Sequence, residues 1–331
     1  RLGYSQELIR VITHKAMQNP KKIVFPEGEE EKIIRAAHII AADNIGKPIL
    51  LGNYEIIKDK ILKLNYQLEE VEIRDPRNCP KREMFADEFF KKRHRKGITN
   101  KEANRLMYQR IYYGSMMVAT GEADTLVGGL TTHYPQTIKP ALQCVGVRNI
   151  NGLVCGLYIV ILKRRVLFFA DTTVNIDPTA DELAKIAIET AETVKSFEIE
   201  PKIAMLSFSN FGSVNHPESL KVREALKIVK STRPDLIIDG EMQADTAVVP
   251  CICEEEFPFS VIKGDANVLI FPTLSAGNIA YKLFERLTDA TVIGPILMGM
   301  KKSIHVLQRG ASVDDIVNIA AIATVESYKN A

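Results

Sequence analysis

Lys22-Ile23-Val24-Phe25-Pro26, then Ile33, Ile34, Ala37, Ile40 and Ala41 at helical spacing, then Pro48-Ile49-Leu50-Leu51-Gly52, reads as strand, helix, strand. The rhythm returns downstream. Thr125 to Gly128, Lys202 to Ser207, Leu236 to Asp239, Asn267 to Phe271 and Thr291 to Ile293 are short apolar runs, and residues from about Asn215 to Ser231 form a helix after the second of them. Such alternation predicts an α/β chain whose mainly parallel sheets are covered by helices. Gly152 to Leu162 and Arg165 to Ala170 break the pattern, because no crossover helix fits between them. They are predicted to pair as antiparallel strands, with a domain boundary near residue 150.

At 331 residues the chain has room for two domains, and 46% hydrophobic with 25% charged residues is ordinary for a globular protein. The formal charge of +2 gives no reason to expect nucleic acid or a membrane surface as partner. Five cysteines without a paired CxxC pattern argue against a disulfide framework or a zinc site. The longest apolar run, Gly152 to Leu162, is too short to cross a bilayer, and no signal peptide is visible. These features together predict a cytoplasmic location. The charged stretch from Lys81 to Thr120 is predicted helical, with the run from Lys91 to Lys96 on a solvated face.

The usual nucleotide fingerprints, GxGxxG, GxxxxGK[ST] and the metal motif HExxH, are missing. Instead, four strand ends carry small or polar residues: Gly128 to His133 including Thr131, Ser207 to Ser213 including Ser209, Phe271 to Asn278, and Ile293-Gly294-Pro295. Each alone is compatible with simple turn chemistry. Jointly they offer neutral donors to a phosphorylated ligand, with Arg309, Lys282 and the Arg93 cluster supplying charge. His133 is an acid or base, or a structural histidine.

Near the C-terminus, Gln308-Arg309-Gly310-Ala311-Ser312-Val313-Asp314-Asp315 places a cation shortly before a helix start and a carboxylate six residues after it. Ser312 with Asp315 three residues on, ahead of Ile316, Ile319, Ala320 and Ala323, reads as a capping box opening a helix. Two readings stand at this level: an anion site at the helix start, or a plain cap beside a solvated arginine.

These segments resemble the phosphate acetyltransferases and phosphate butyryltransferases. The similarity runs through Lys22-Ile23-Val24-Phe25-Pro26-Glu27-Gly28, Lys96-Gly97-Ile98-Thr99, Ala123 to Gly129, Met205 to Ser209, Asp239 to Asp245, Ala266 to Pro272, Ala276 to Leu283 and Gly294-Pro295-Ile296-Leu297. The resemblance implies two α/β domains, residues 21–150 with 300–331 and residues 151–299, a cleft between them holding coenzyme A and acetyl phosphate, and a C-terminal helix returning to the first domain. It also implies a homodimer. Active members carry Ser-Arg-Gly with an aspartate six residues after the arginine. That aspartate takes the thiol proton, while the arginine and serine stabilise the acyl phosphate.

Arg309, Gly310 and Asp315 match that pattern, but Gln308 stands where the serine belongs. A longer amide displaces an oxyanion donor by more than the roughly half-ångström tolerance of a preorganised site. Losing one such donor costs about 10²–10³ in rate. Lys139, before Pro140-Ala141-Leu142, stands where active members have arginine and keeps the charge without the bidentate fork. Arg93 is retained.

A variant of this domain forms the C-terminal part of hybrid NADP-dependent malic enzymes, and Arg1-Leu2-Gly3, Asn19 to Lys32 and His305 to Gly310 are similar to it. The leading expectation is therefore a regulatory domain, joined through a linker helix over residues 1–20 to a malic enzyme domain upstream. It would bind acetyl-CoA or CoA through Arg309, Asp315, Asn278, Lys282, Ser209, Thr131, Arg93, Lys139, Gly294 and Pro295, and would not transfer acetyl groups. NADP and divalent metal would engage only the upstream domain. The alternative expectation is an active phosphate acetyltransferase; a solute-binding module has no export signal to support it.

Overall fold

The computed structural model describes residues 4–67, 71–148 and 152–328. The similarity at Arg1-Leu2-Gly3 lies outside them. The contacts divide the chain into two units, one of residues 10–148 and 300–331 and the other of residues 1–9 and 149–299, the division falling within helix α1 (Tyr4–Gln18). That helix, expected as a linker, buries Leu8, Ile12 and Ala16.

The first unit begins with β1 (Lys21–Phe25), α2 (Glu31–Ala42), β2 (Gly46–Leu51), α3 (Tyr54–Lys63) and β3 (Glu72–Arg74). Helices α4 (Lys81–Arg93), α5 (Asn100–Leu106) and α6 (Arg110–Thr120) follow, then β4 (Thr125–Gly128) and α7 (Tyr134–Cys144). The second unit contributes β5 (Cys155–Ile161), β6 (Val166–Ala170), α8 (Ala180–Ser196), β7 (Lys202–Leu206), α9 (Pro217–Thr232), β8 (Ile237–Met242), α10 (Ala244–Val248), α11 (Pro250–Glu256), β9 (Val268–Ile270), α12 (Leu274–Leu287) and β10 (Thr291–Met298). The chain then returns to the first unit as β11 (Ser303–Val306) and α13 (Val313–Ser327).

The first sheet has the order β11-β4-β1-β2-β3, parallel throughout. Strand order therefore reverses between β1 and β4, the point at which open α/β sheets place their ligands. Strands β1 and β4 are apolar because both faces are covered; Ile23, Val24, Phe25, Leu126 and Val127 are fully buried. Helix α13 covers this sheet with Ile316, Ile319, Ala320, Ala323 and Val325 buried, each large aliphatic contributing about 1.5–3 kcal/mol.

The second sheet has the order β10-β5-β6-β9-β7-β8. Strands β6, β9, β7 and β8 run parallel, while β5 pairs antiparallel with β6 and with β10. The hairpin expected from the short connection is present. Its core packs Tyr158, Val160, Phe169, Leu206, Met242 and Leu269, with Tyr158 stacked on Tyr281 of α12 at 4.0 Å. Among the described residues no helix is long and apolar enough to cross a membrane.

Candidate functional site

In the first unit the loops leaving β4 and β11 lie side by side, because β11 pairs with β4 in register from Ser303↔Thr125 to Val306↔Gly128 and Leu307 N–H donates to Gly128 O at 2.7 Å. Thr131, Gln308, Arg309 and Asp315 therefore gather at one edge of one sheet. Helix α7, which carries Lys139, starts from the same edge.

The capping box expected at Ser312 and Asp315 is present. Ser312 Oγ accepts from Asp315 N–H at 3.1 Å, and Asp315 Oδ2 accepts from Ser312 N–H at 2.9 Å and from Ser312 Oγ at 2.7 Å. Thus one carboxylate oxygen of Asp315 fastens the helix start, and Oδ1 accepts no hydrogen bond from a described residue. The N–H groups of Ser312 and Asp315 are therefore satisfied within the box. Arg309 is exposed and makes no ion pair with a described residue, and the same holds for Lys139. Gln308 is half-buried, and its carbonyl accepts from Ala311 N–H at 3.1 Å.

Thr131 does not present its donors outward. Its N–H and Oγ1 both donate to Glu27 Oε1 at 2.8 Å, while Gly129 and Leu130 N–H donate to Oε2 at 2.8 and 2.9 Å. Glu27 follows β1, so the nest at the point of strand reversal is filled by a carboxylate of the chain itself. Thr131, expected as a ligand donor, is thus placed as a partner of Glu27. His133 caps α7, its N–H donating to Gln136 Oε1 at 3.2 Å.

Arg93 ends α4, where Lys91 and Lys92 complement the helix dipole. It stands by the C-terminal end of α7: Lys92 Nζ donates to Cys144 O at 3.1 Å, and burial pushes the Cys144 thiol up to about 12 against the opposing charges of Lys92 and Arg93. Its Nε is buried without a partner. Arg93, at the end of α4, thus stands near Cys144 at the end of α7, the helix that carries Lys139.

The second unit shows the same self-filling at its strand ends. Ser209, expected to face a ligand, is fully buried; its hydroxyl donates to Glu241 Oε1 at 3.0 Å and accepts from Val214 N–H at 3.1 Å. Glu241 also accepts from Gly212 N–H and is paired with Arg223 at 3.1 Å. Ser209, expected as a ligand donor, is thus placed as a support for Glu241. Burial alone would raise the Glu241 carboxyl, but Arg223, Gly212 N–H and Ser209 together hold it below its ordinary value of 4.5. Because the folded value is the lower one, the associated stability is present above about pH 4.5 and is lost as pH falls toward the folded value. In urea titrations the advantage of the parent over Glu241→Gln is expected to be constant near neutrality and to shrink below about pH 4.5.

Gly294 and Pro295 lie inside a strand longer than the apolar run Thr291 to Ile293 implied. Strand β10 does not stop at Ile293 but continues to Met298, with a shift of register against β5 between Ile293 and Ile296. A bulge accommodates a proline that cannot donate to the ladder. Pro295 is buried, and a Cβ on Gly294 would lie 2.6 Å from the Tyr158 ring, so this pair packs the sheet.

Asn278 and Lys282 lie one turn apart on α12. Asn278 Nδ2 donates to Thr172 O at 3.3 Å, and Lys282 is exposed with Nζ 5.2 Å from the Tyr281 ring. Helix α12 approaches the loop after β6 so closely that a Cβ on Gly277 would lie 2.4 Å from Asp171 O. That loop is built on the buried carboxylate of Asp171. Oδ1 accepts from the N–H groups of Gly156, Thr173 and Val174 at 2.9, 2.9 and 3.2 Å, and Oδ2 from Asn175 N–H at 2.8 Å and from Asn175 Nδ2.

Sequence reasoning missed Glu27, Asp171 and Glu241 as organisers of these loops. The available signal was a carboxylate at or just beyond the end of an apolar strand. No group of three or more His, Cys, Asp or Glu suited to a metal ion occurs among the described residues.

The family model described as phosphate acetyl/butaryl transferase matches residues 7–324. The phosphate acetyltransferase of Bacillus subtilis is 39% identical over 97% of this chain and 99% of its own. A phosphotransacetylase structure from Streptococcus pyogenes superposes with a TM-score of 0.94 at 37% identity, covering 98% of this chain and 99% of its own. The NADP-dependent malic enzyme of Escherichia coli is 37% identical over 96% of this chain, which spans 43% of that protein. The chain belongs to the phosphate acetyl/butaryl transferase family.

Proposed function

We propose that the chain transfers an acetyl group between acetyl phosphate and coenzyme A. Relatives matched over nearly their whole length and named phosphate acetyltransferase support this reading over the regulatory one that led the sequence analysis. The observation that carries it is the loop after β11, where, among the described residues, Arg309 has no counter-charge and Asp315 Oδ1 no hydrogen-bond donor. In the reaction Asp315 accepts the thiol proton of CoA, the thiolate attacks the acetyl carbonyl, and the carbon–oxygen bond to phosphate breaks. Arg309 holds the phosphoryl oxygens and favours their departure as phosphate. No metal is needed for that balance of charge and protons.

A second reading, acetyl-CoA sensing without turnover within an NADP-dependent malic enzyme, is favoured by one observation, Gln308 at the position of the family serine, and by the malic enzyme relatives. Thioester formation from acetyl phosphate and CoA separates the two. The parent is expected to turn over, and Gln308→Ser to raise kcat by about 10–10², within the range associated with one oxyanion donor. Saturable acetyl-CoA binding with no turnover in the parent would move the assignment to the sensing role.

A further inference from the structure

We propose that Lys32 is a positioning residue for the Arg309–Asp315 loop. Lys32 is the second residue of α2, and its Nζ donates to Ala311 O at 2.9 Å and to Gly310 O at 3.3 Å. The neighbouring Glu31 is engaged by Arg35 at 2.7 Å and does not compete for the ammonium.

Each of the two carbonyls belongs to a peptide group whose N–H is also committed. The peptide from Gly310 to Ala311 donates to Gln308 O at 3.1 Å, and the peptide from Ala311 to Ser312 donates to Asp315 Oδ2 at 2.9 Å. A cation on the oxygen of a peptide polarises it and strengthens the hydrogen bond made by its N–H. Lys32 is therefore one peptide removed from the carboxylate that serves as base, and one of the carbonyls it holds belongs to the residue next to Arg309. Ala311 is buried, but at Gly310, which adopts φ +85°, a Cβ would meet nothing within 4 Å. The ammonium holds the carbonyl of Gly310, where no side chain can pack.

Two readouts test this, and only the kinetic one rests on the transferase reading above. In Lys32→Met, amide exchange across residues 309–315 is expected to quicken by about tenfold or more, the scale of a lost hydrogen bond to a charged group. The kcat for acetyl-CoA formation is expected to fall by about tenfold, with Lys32→Arg restoring most of both. The thermal midpoint, recorded for both variants, reports whether the fold survives. Unchanged exchange in Lys32→Met, or a Lys32→Arg variant no better than Lys32→Met, overturns the proposal. A parent that neither turns over nor binds acetyl-CoA overturns the transferase reading instead, and the exchange measurement still decides the role of Lys32.

Discussion

Arg309→Ala is expected to lower kcat/KM for acetyl phosphate by about 10²–10³, the scale seen when a preorganised charge on the reacting group is removed. The size follows from its surroundings. Arg309 is exposed and pairs with no described carboxylate, so its charge is not spent on the fold. Thermal stability is accordingly expected to stay within about 0.5 kcal/mol of the parent, as for surface substitutions that remove no packing. Steady-state kinetics with acetyl phosphate varied at saturating CoA measure the effect. A variant with the activity of the parent would remove Arg309 from the site. Arg309→Lys is expected to recover part of the activity only, because an ammonium lacks the planar fork that grips two phosphoryl oxygens.

Asp171→Ala is expected to destabilise the second unit by about 3–5 kcal/mol, the cost of leaving several buried donors without their acceptor. Only 2% of Asp171 is exposed, so water cannot replace the carboxylate without opening the loop between β6 and α8. Asp171→Asn is the informative companion. Its single carbonyl oxygen can serve the three N–H groups at Oδ1, but its amide would then face two donors of Asn175. A loss of about 1–3 kcal/mol is expected for that variant. Urea unfolding read on both variants gives the ordering, and equal stability of Asp171→Ala and parent would show that the loop repairs itself.

Much of the fold was legible because its strands are sandwiched and hence apolar. Thr125 to Gly128 and the antiparallel pair after residue 152 could be read directly, the first from burial on both faces and the second from the shortness of the link. Strand β11 carried no such run. Ser303 and His305 point inward, where Ser303 Oγ meets Thr125 Oγ1 at 2.8 Å and His305 Nε2 meets Glu326 at 3.2 Å, so polar residues occupy positions that a hydrophobic pattern would mark. Strand β3, with three residues at the sheet edge, offered too short a signal. The reach of β10 was hidden because Gly294-Pro295 has the composition of a strand terminator and only pairing geometry reveals a bulge.

The site divided in the same way. Ser312 and Asp315 were readable because a capping box is local in sequence. The carboxylate partners of Ser209 and Thr131 were not legible because a hydroxyl at a strand end looks the same whether it faces a ligand or a carboxylate brought from another strand. Glu241 lies 32 residues from Ser209, and Glu27 lies 104 from Thr131. Such pairings are fixed by topology, and no spacing rule reports them.

The order of the first sheet has a consequence for biosynthesis. Strand β11, which delivers Gln308 and Arg309, is the last of its five strands to be translated and is separated from its neighbour β4 by the whole second unit. Until it emerges from the ribosome, β4 offers a bare edge to any passing strand. A nascent chain stalled before residue 303 would lack Arg309 and leave that edge unpaired, so the same event that completes the sheet also covers it.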